Sequence, residues 1–160
     1  MSLIRYLSDK QIIEINNVSL GITKEQNTFH LVQPDDLRFT MRFVEQHFEE
    51  NVVRKALAYC IAIITLHPFQ NGNHRTSLLA AEEFLRQNHY RSSATDTEDL
   101  DLQKRRIIYE QDHDLEREFF RVTNIEDETQ RIEELQIIMK SEYGQMIEQW
   151  LTKHFTQHKS

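Results

Sequence analysis

The 160-residue sequence has few turn-forming residues and almost no cysteine: it contains three glycines, two prolines and the single cysteine Cys60. A β-sandwich or β-barrel needs turn residues about every 8–12 positions, so this shortage excludes an all-β fold. A lone cysteine excludes both a disulfide framework and a zinc site built on cysteines. Cys60 lies in an apolar run, where we expect a small buried side chain. A mostly helical domain remains.

Long apolar runs and an excess of basic residues are also missing. The longest apolar stretch runs from Ala56 to Leu66, which is too short to span a bilayer, and the N-terminus shows no secretory signal. The formal net charge is −7, and no basic stripe of the kind that binds a phosphate backbone is visible. We therefore expect a cytoplasmic protein whose partners are neither membranes nor nucleic acids.

Hydrophobic spacing and cap residues predict the main helices. A first helix begins near Ser8 and ends before Gly21, and a second begins near Asp35. Residues 52–66 are apolar on nearly every side, which is typical of a central buried helix. That helix must end near residue 66, because Pro68 disfavours helical geometry in the residue before it. The fold class that we predict is all-α.

Two further segments have patterns of their own. The strand-prone run Thr28–Val32 predicts a small β-hairpin near residues 21–34. Between residues 132 and 150, apolar side chains recur at steps of three or four, which predicts one amphipathic helix roughly 20 residues long. No repeat, low-complexity tract or linker divides the chain, so we expect one domain.

The residues that carry chemistry lie between the two central helices. They form the run His67-Pro68-Phe69-Gln70-Asn71-Gly72-Asn73-His74-Arg75-Thr76. A helix that begins after Gly72 presents backbone N–H groups and the positive end of its dipole, which together bind anions. Arg75 in its first turn opposes that dipole, so an anionic ligand would explain its presence, and its donors suit phosphate oxygens. His67 ends the preceding helix, where an imidazole can take up a proton near neutral pH.

Simpler interpretations of the same residues remain open. A histidine at a helix end is more often structural or solvated than catalytic, and an Asn-Gly pair usually forms only a turn. Phe69 is most simply a core side chain that anchors the loop. His67 and His74 are also metal-ligand types, but no third histidine and no cysteine lie nearby.

The segment from His67 to Arg75 resembles the signature of the Fic/Doc family, H-x-F-x-[D/E]-G-N-[G/K]-R. The flanks agree, since Lys55–Tyr59 is similar to the family's buried helix and Phe84–Tyr90 to the end of the helix that follows. The resemblance covers about residues 10–125. It implies a single Fic-like domain over residues 1–160, with a C-terminal helical extension at about residues 126–156.

The resemblance implies an activity. Fic-type enzymes are nucleotidyltransferases that move AMP from ATP to the hydroxyl of a Ser, Thr or Tyr side chain on a target protein (AMPylation), with Mg²⁺ as the metal. The predicted hairpin near residues 21–34 occupies the place of the family's flap, which pairs with the main chain of the target. An antitoxin or inhibitor protein is a further partner that the family suggests, and a homodimer stays open.

The resemblance also implies roles for individual residues. His67 would be the catalytic base, and Phe69 would pack inward and hold the loop. The nucleotide phosphates would be bound by four consecutive residues: Gly72, Asn73, His74 and Arg75.

Three residues depart from the family pattern. Asn71 stands where an acidic residue holds Mg²⁺, and an amide is a weaker ligand for a hard cation. His74 replaces a glycine or lysine, and Leu78 replaces the second arginine of the longer adenylylating motif, which serves the terminal phosphate. Two alternatives follow: a Doc-like toxin that transfers the terminal phosphate, and a degenerate fold that binds a nucleotide or a protein without catalysis.

The C-terminal half contains an incomplete match to the family's inhibitory motif, [S/T]-x-x-x-E-[G/N]. Thr129 and Glu133 fit, but Glu134 stands where glycine or asparagine is required. Because this half is rich in acidic residues, a chance match is the simpler interpretation.

Overall fold

A computed structural model of the chain describes residues 3–23, 33–69, 72–92 and 121–157, and it confirms the all-α class. The helices and two short strands are α1 (Asp9–Thr23), α2 (Pro34–Gln46), α3 (Val52–Leu66), α4 (Asn73–Gln87), β1 (Tyr90–Ser92), α5 (Glu128–Lys140), α6 (Glu142–His154) and β2 (Phe155–Gln157). None of the described helices combines the length and the apolar character needed to cross a membrane.

The central helix is α3, as the sequence predicts. Every residue from Lys55 to Leu66 is buried, and the helix packs against α2, α4, α5 and α6. Cys60 is fully buried within it. Burial raises the pKa of the Cys60 thiol to about 12, so this side chain is a small apolar core residue rather than a reactive group.

One buried cation accompanies this apolar helix. The Lys55 ammonium donates hydrogen bonds to the carbonyl oxygens of Val44 and His47, at 2.7 and 2.8 Å, and it lies 5.1 Å from the centroid of the Tyr6 ring. These carbonyls belong to the C-terminal end of α2, where the last acceptors of a helix have no intrahelical donor. Lys55 therefore caps α2 from the core side.

Two of the sequence predictions for helix boundaries are wrong. The first helix continues through Gly21 to Thr23, because one glycine costs a helix only about 1 kcal/mol and does not end it. The single helix predicted over residues 132–150 is two helices that meet at Ser141. The Ser141 hydroxyl donates to Ile138 O and accepts the Gly144 N–H, so it serves both helix ends.

The predicted hairpin falls mainly outside the described residues. Residues 24–32 are not described, residues 21–23 belong to α1, and α2 begins at Pro34. The sheet that the structure does describe joins β1 to β2 in antiparallel register, with Arg91 opposite Thr156. It ties the end of α4 to the end of α6, far along the chain from the predicted flap.

Candidate functional site

His67 is the C-cap residue that directly follows α3. Its backbone adopts the left-handed conformation (φ 48°, ψ 59°), and its N–H donates to Ile63 O at 3.1 Å. Positive φ is uncommon for a residue other than glycine, and here it turns the chain sharply out of the buried helix just before Pro68. The His67 side chain is exposed, so the imidazole is presented to solvent at the end of the core helix.

The loop after His67 is closed by a pair of hydrogen bonds between Phe69 and Asn73. The Phe69 N–H donates to Asn73 Oδ1 at 3.0 Å, and Asn73 Nδ2 donates to Phe69 O at 2.8 Å. Both side chains are buried. The Asn73 amide is therefore committed to the loop, and what Asn73 can offer an anion is its backbone N–H.

Gly72 precedes α4 and is required there for two reasons. Its backbone is left-handed (φ 76°, ψ 17°), which favours glycine. A Cβ on Gly72 would also lie 2.9 Å from Ser19 Oγ and 3.2 Å from Asn16 Nδ2, so α1 leaves no room for a side chain. Because α4 begins at the next residue, Gly72 lies at the N-terminal end of its dipole, as the sequence predicts.

The first turn of α4, which contains His74 and Arg75, brings the His74 ring next to His67. The rings of His67 and His74 are 5.5 Å apart between centroids, with their planes at 80°, and both His74 and Arg75 are half-buried. Residues from the two ends of the loop are thus neighbours. Leu78, one turn further along α4, is buried in the core, so that position faces away from solvent.

Neighbouring segments hold this loop from two sides. The Gln33 N–H, just before α2, donates to Pro68 O at 2.6 Å. The Thr123 hydroxyl donates to Thr65 O at 2.9 Å, near the end of α3. The main chain around His67 is therefore fixed by α2 on one side and by the segment before α5 on the other.

The predicted metal position lies outside the described residues, because Gln70 and Asn71 are not described. Within the described ranges, no three His, Cys, Asp or Glu side chains are grouped closely enough to hold a metal ion.

The incomplete inhibitory motif lies at the start of α5. Thr129 and Glu133 are exposed, while the Glu134 carboxylate accepts a hydrogen bond from Arg121 at 2.7 Å. That guanidinium lowers the pKa of Glu134 below its ordinary value. Glu134 thus belongs to a surface ion pair with Arg121.

The described geometry combines an exposed imidazole with a helix N-terminus and an arginine. Such an arrangement can accept a proton beside a bound anion.

Two features were not apparent from the sequence: the Phe69–Asn73 bonds and the contact of Gly72 with α1. The first has a weak signal, an asparagine at the first position of a helix and four residues after a buried aromatic.

The chain was compared with curated proteins, with solved structures and with protein-family models. It matches neither a curated protein nor a solved structure. The family model described as Fic/DOC family matches residues 2–85, a span that includes α1, α2, α3, the His67–Arg75 segment and most of α4. Since this match covers more than half of the sequence, the chain belongs to the Fic/DOC family.

Proposed function

We propose that the protein transfers AMP from ATP to a side-chain hydroxyl of a target protein, with His67 as the general base. The observation that carries this proposal is the position of the exposed His67 imidazole, 5.5 Å from the His74 ring in the first turn of α4. Membership of the Fic/DOC family supports it. In this proposal, the base and the phosphate site are neighbours across a single loop.

The reaction that this arrangement suits is an in-line displacement at phosphorus. His67 accepts the proton of the target hydroxyl while the hydroxyl oxygen forms a bond to the α-phosphorus of ATP. The bond from that phosphorus to the bridging oxygen of the β-phosphate breaks, and pyrophosphate leaves. The positive end of the α4 dipole and the Arg75 guanidinium stabilise the negative charge on the phosphate oxygens.

Mg²⁺ would accompany ATP in this reaction and neutralise part of the phosphate charge. Asn71 is the residue that we propose as its protein ligand, through the amide oxygen. A neutral amide binds a hard cation more weakly than a carboxylate does. We therefore expect transfer to need a higher Mg²⁺ concentration than in a protein that carries aspartate at this position.

Transfer of the terminal phosphate is a second candidate, and Leu78 favours it. The longer adenylylating motif has a second arginine for the terminal phosphate at this position, and here the side chain is a leucine in the core. In this alternative, the target hydroxyl attacks the γ-phosphorus and ADP leaves, with the same role for His67.

ATP labelled at either the α- or the γ-phosphate distinguishes these reactions. We expect label from the α-position to appear on protein, either on an added target or by self-modification, and to disappear in the His67→Ala variant. If only label from the γ-position appears on protein, the reaction is transfer of the terminal phosphate and not of AMP. If ATP binds but neither label is transferred, both proposed reactions are contradicted, and the protein binds the nucleotide without catalysis.

Arg75→Ala is expected to weaken ATP binding roughly 10- to 150-fold, because a hydrogen bond to a charged group contributes about 1.5–3 kcal/mol. Equilibrium titration with ATP measures this effect. Arg86→Ala is the control on the same helix, since Arg86 lies in the last turn of α4, where it pairs with the partly exposed Glu83 and with the buried Glu82. Equal ATP affinity in the Arg75 variant and the native protein would remove Arg75 from the site.

Asn71→Asp is expected to lower the Mg²⁺ concentration needed for half-maximal transfer and to raise the rate. A carboxylate attracts the ion through its charge, whereas the amide offers only a dipole. The two side chains have nearly the same shape, so packing is preserved. Titration of Mg²⁺ against the transfer rate tests this, and Asn71→Leu should shift the titration the other way. Identical metal dependence in the native and Asp proteins would contradict a metal-ligating role.

A further inference from the structure

We propose that Asn16 of α1 and Thr76 of α4 are positioning residues for residues 72–75, which we call the phosphate-binding turn. This inference rests on the proposed function. Neither residue belongs to the His67–Arg75 segment. Together they set where Gly72 and the first turn of α4 lie relative to the rest of the domain, so that α1 becomes part of the nucleotide site without touching the nucleotide.

A buried polar cluster joins the two helices at this point. Asn16 Nδ2 donates to Thr76 Oγ1 at 3.0 Å, and Ser19 Oγ lies 3.4 Å from the same oxygen. The Ser19 hydroxyl donates to Asn16 O at 2.8 Å. All three side chains are almost completely buried. Removing one member leaves a buried donor or acceptor without its partner, which is costly in a core.

The same cluster fixes the backbone of Gly72. The Thr76 N–H donates to Gly72 O at 2.9 Å, which is the first hydrogen bond of α4. Ser19 and Asn16 are also, together with Leu20, the side chains nearest to a Cβ on Gly72. The hydroxyl and the N–H of Thr76 therefore connect α1 directly to the residue at which the chain enters the phosphate-binding turn.

The direction of the N–H groups in that turn depends on this connection. Groups at a helix N-terminus bind an anion only when they converge on it, and a small displacement is enough to lose part of the interaction. A polar contact is specific in direction, whereas apolar packing permits sliding. This difference explains why the polar cluster of Asn16, Ser19 and Thr76 is buried at this end of the interface between α1 and α4, where apolar side chains would otherwise suffice.

The opposite end of α4 provides a matched comparison. There, Asn88 is buried and bonds the chain before α1: the Arg5 N–H donates to Asn88 Oδ1 at 2.8 Å, and Asn88 Nδ2 donates to Arg5 O at 3.0 Å. An asparagine thus fastens the N-terminal region to each end of α4. Only Asn16 lies at the end that carries the phosphate-binding turn.

The test compares Asn16→Ala with Asn88→Ala. We expect both variants to lose stability in urea, but only Asn16→Ala to raise the Kd for ATP, by about tenfold, which corresponds to about 1.4 kcal/mol. Thr76→Val should raise the Kd for ATP as Asn16→Ala does, whereas Thr76→Ser, which keeps the hydroxyl, should retain the native Kd. Unchanged ATP affinity in Asn16→Ala and Thr76→Val, or an equal loss in Asn88→Ala, would overturn the inference.

Amide hydrogen exchange separates this inference from the proposed function. In nucleotide-free protein, the Thr76 N–H reports directly on its hydrogen bond to Gly72 O. We expect its exchange to accelerate about tenfold in Asn16→Ala relative to Asn88→Ala. If native protein fails to bind ATP, the proposed function fails, and exchange alone decides on the positioning role. Equal exchange at Thr76 in the two variants would overturn that role.

Discussion

Replacing His67 by alanine is expected to lower the rate of transfer by about 10²–10⁴-fold and to leave the Kd for ATP unchanged. General base catalysis contributes an acceleration of this size, and the base acts on the target hydroxyl rather than on the nucleotide. A loss that appears in kcat without a loss of binding is typical of an interaction made in the transition state. Single-turnover rates together with an ATP titration measure both quantities.

His89→Ala is the control for this variant. His89 is also exposed and also adopts a positive φ, 68°, just after a helix, but it lies beyond the C-terminal end of α4. We expect native transfer rates from it. Full activity in His67→Ala, or an equal loss in both variants, would show that His67 is not the base.

The largest expected effect on stability comes from Lys55→Met. Methionine preserves the apolar stem and most of the volume of lysine, but it cannot donate to Val44 O and His47 O. A buried polar group left without a partner costs about 1–3 kcal/mol. We therefore expect the free energy of unfolding to fall by about 2–4 kcal/mol, measured in urea.

Arg54→Met is the matched control, because Arg54 is the neighbouring cation on α3. Its side chain is 47% exposed and pairs with Glu148 at 3.5 Å. A surface pair of this kind contributes at most about 1 kcal/mol. A loss in Lys55→Met no larger than in Arg54→Met would contradict the assignment of Lys55 as the cap of α2.

The positions of α3 and α4 could be predicted from the sequence because their signals are local. Continuous apolar character marks α3, Pro68 marks its end, and Gly72 marks the start of α4. The role of Lys55 could not be predicted, since a lysine in an apolar helix has no local signal for carbonyls that a different helix supplies. The break at Ser141 could not be predicted from the apolar spacing, which continues across it. It depends on short-range contacts of single residues: the Ser141 hydroxyl bonds both helix ends, and a Cβ on Gly144 would meet Met139 O.

The residue types of the candidate site could be predicted from the sequence, but the contacts that hold the loop in place could not. The residue types from His67 to Arg75 indicated an anion site beside a base, and the structure brings the His67 and His74 rings together. The spacing gave only a weak signal that the Asn73 side chain bonds Phe69, and none that Asn16 reaches Thr76, about 60 residues away. The contact between Asn16 and Thr76 depends on how α1 packs against α4.

The most direct test of a nucleotide site at the N-terminus of α4 is an ATP titration followed by the backbone amide resonances. We expect the largest shifts at residues 72–75. The chain offers a different place for a ligand, a cavity of about 290 Å³ whose lining includes Phe48, Leu57 and Met139, towards the other end of α3. Shifts concentrated around that cavity, or none at residues 72–75 at high ATP concentration, would contradict a nucleotide site at the N-terminus of α4.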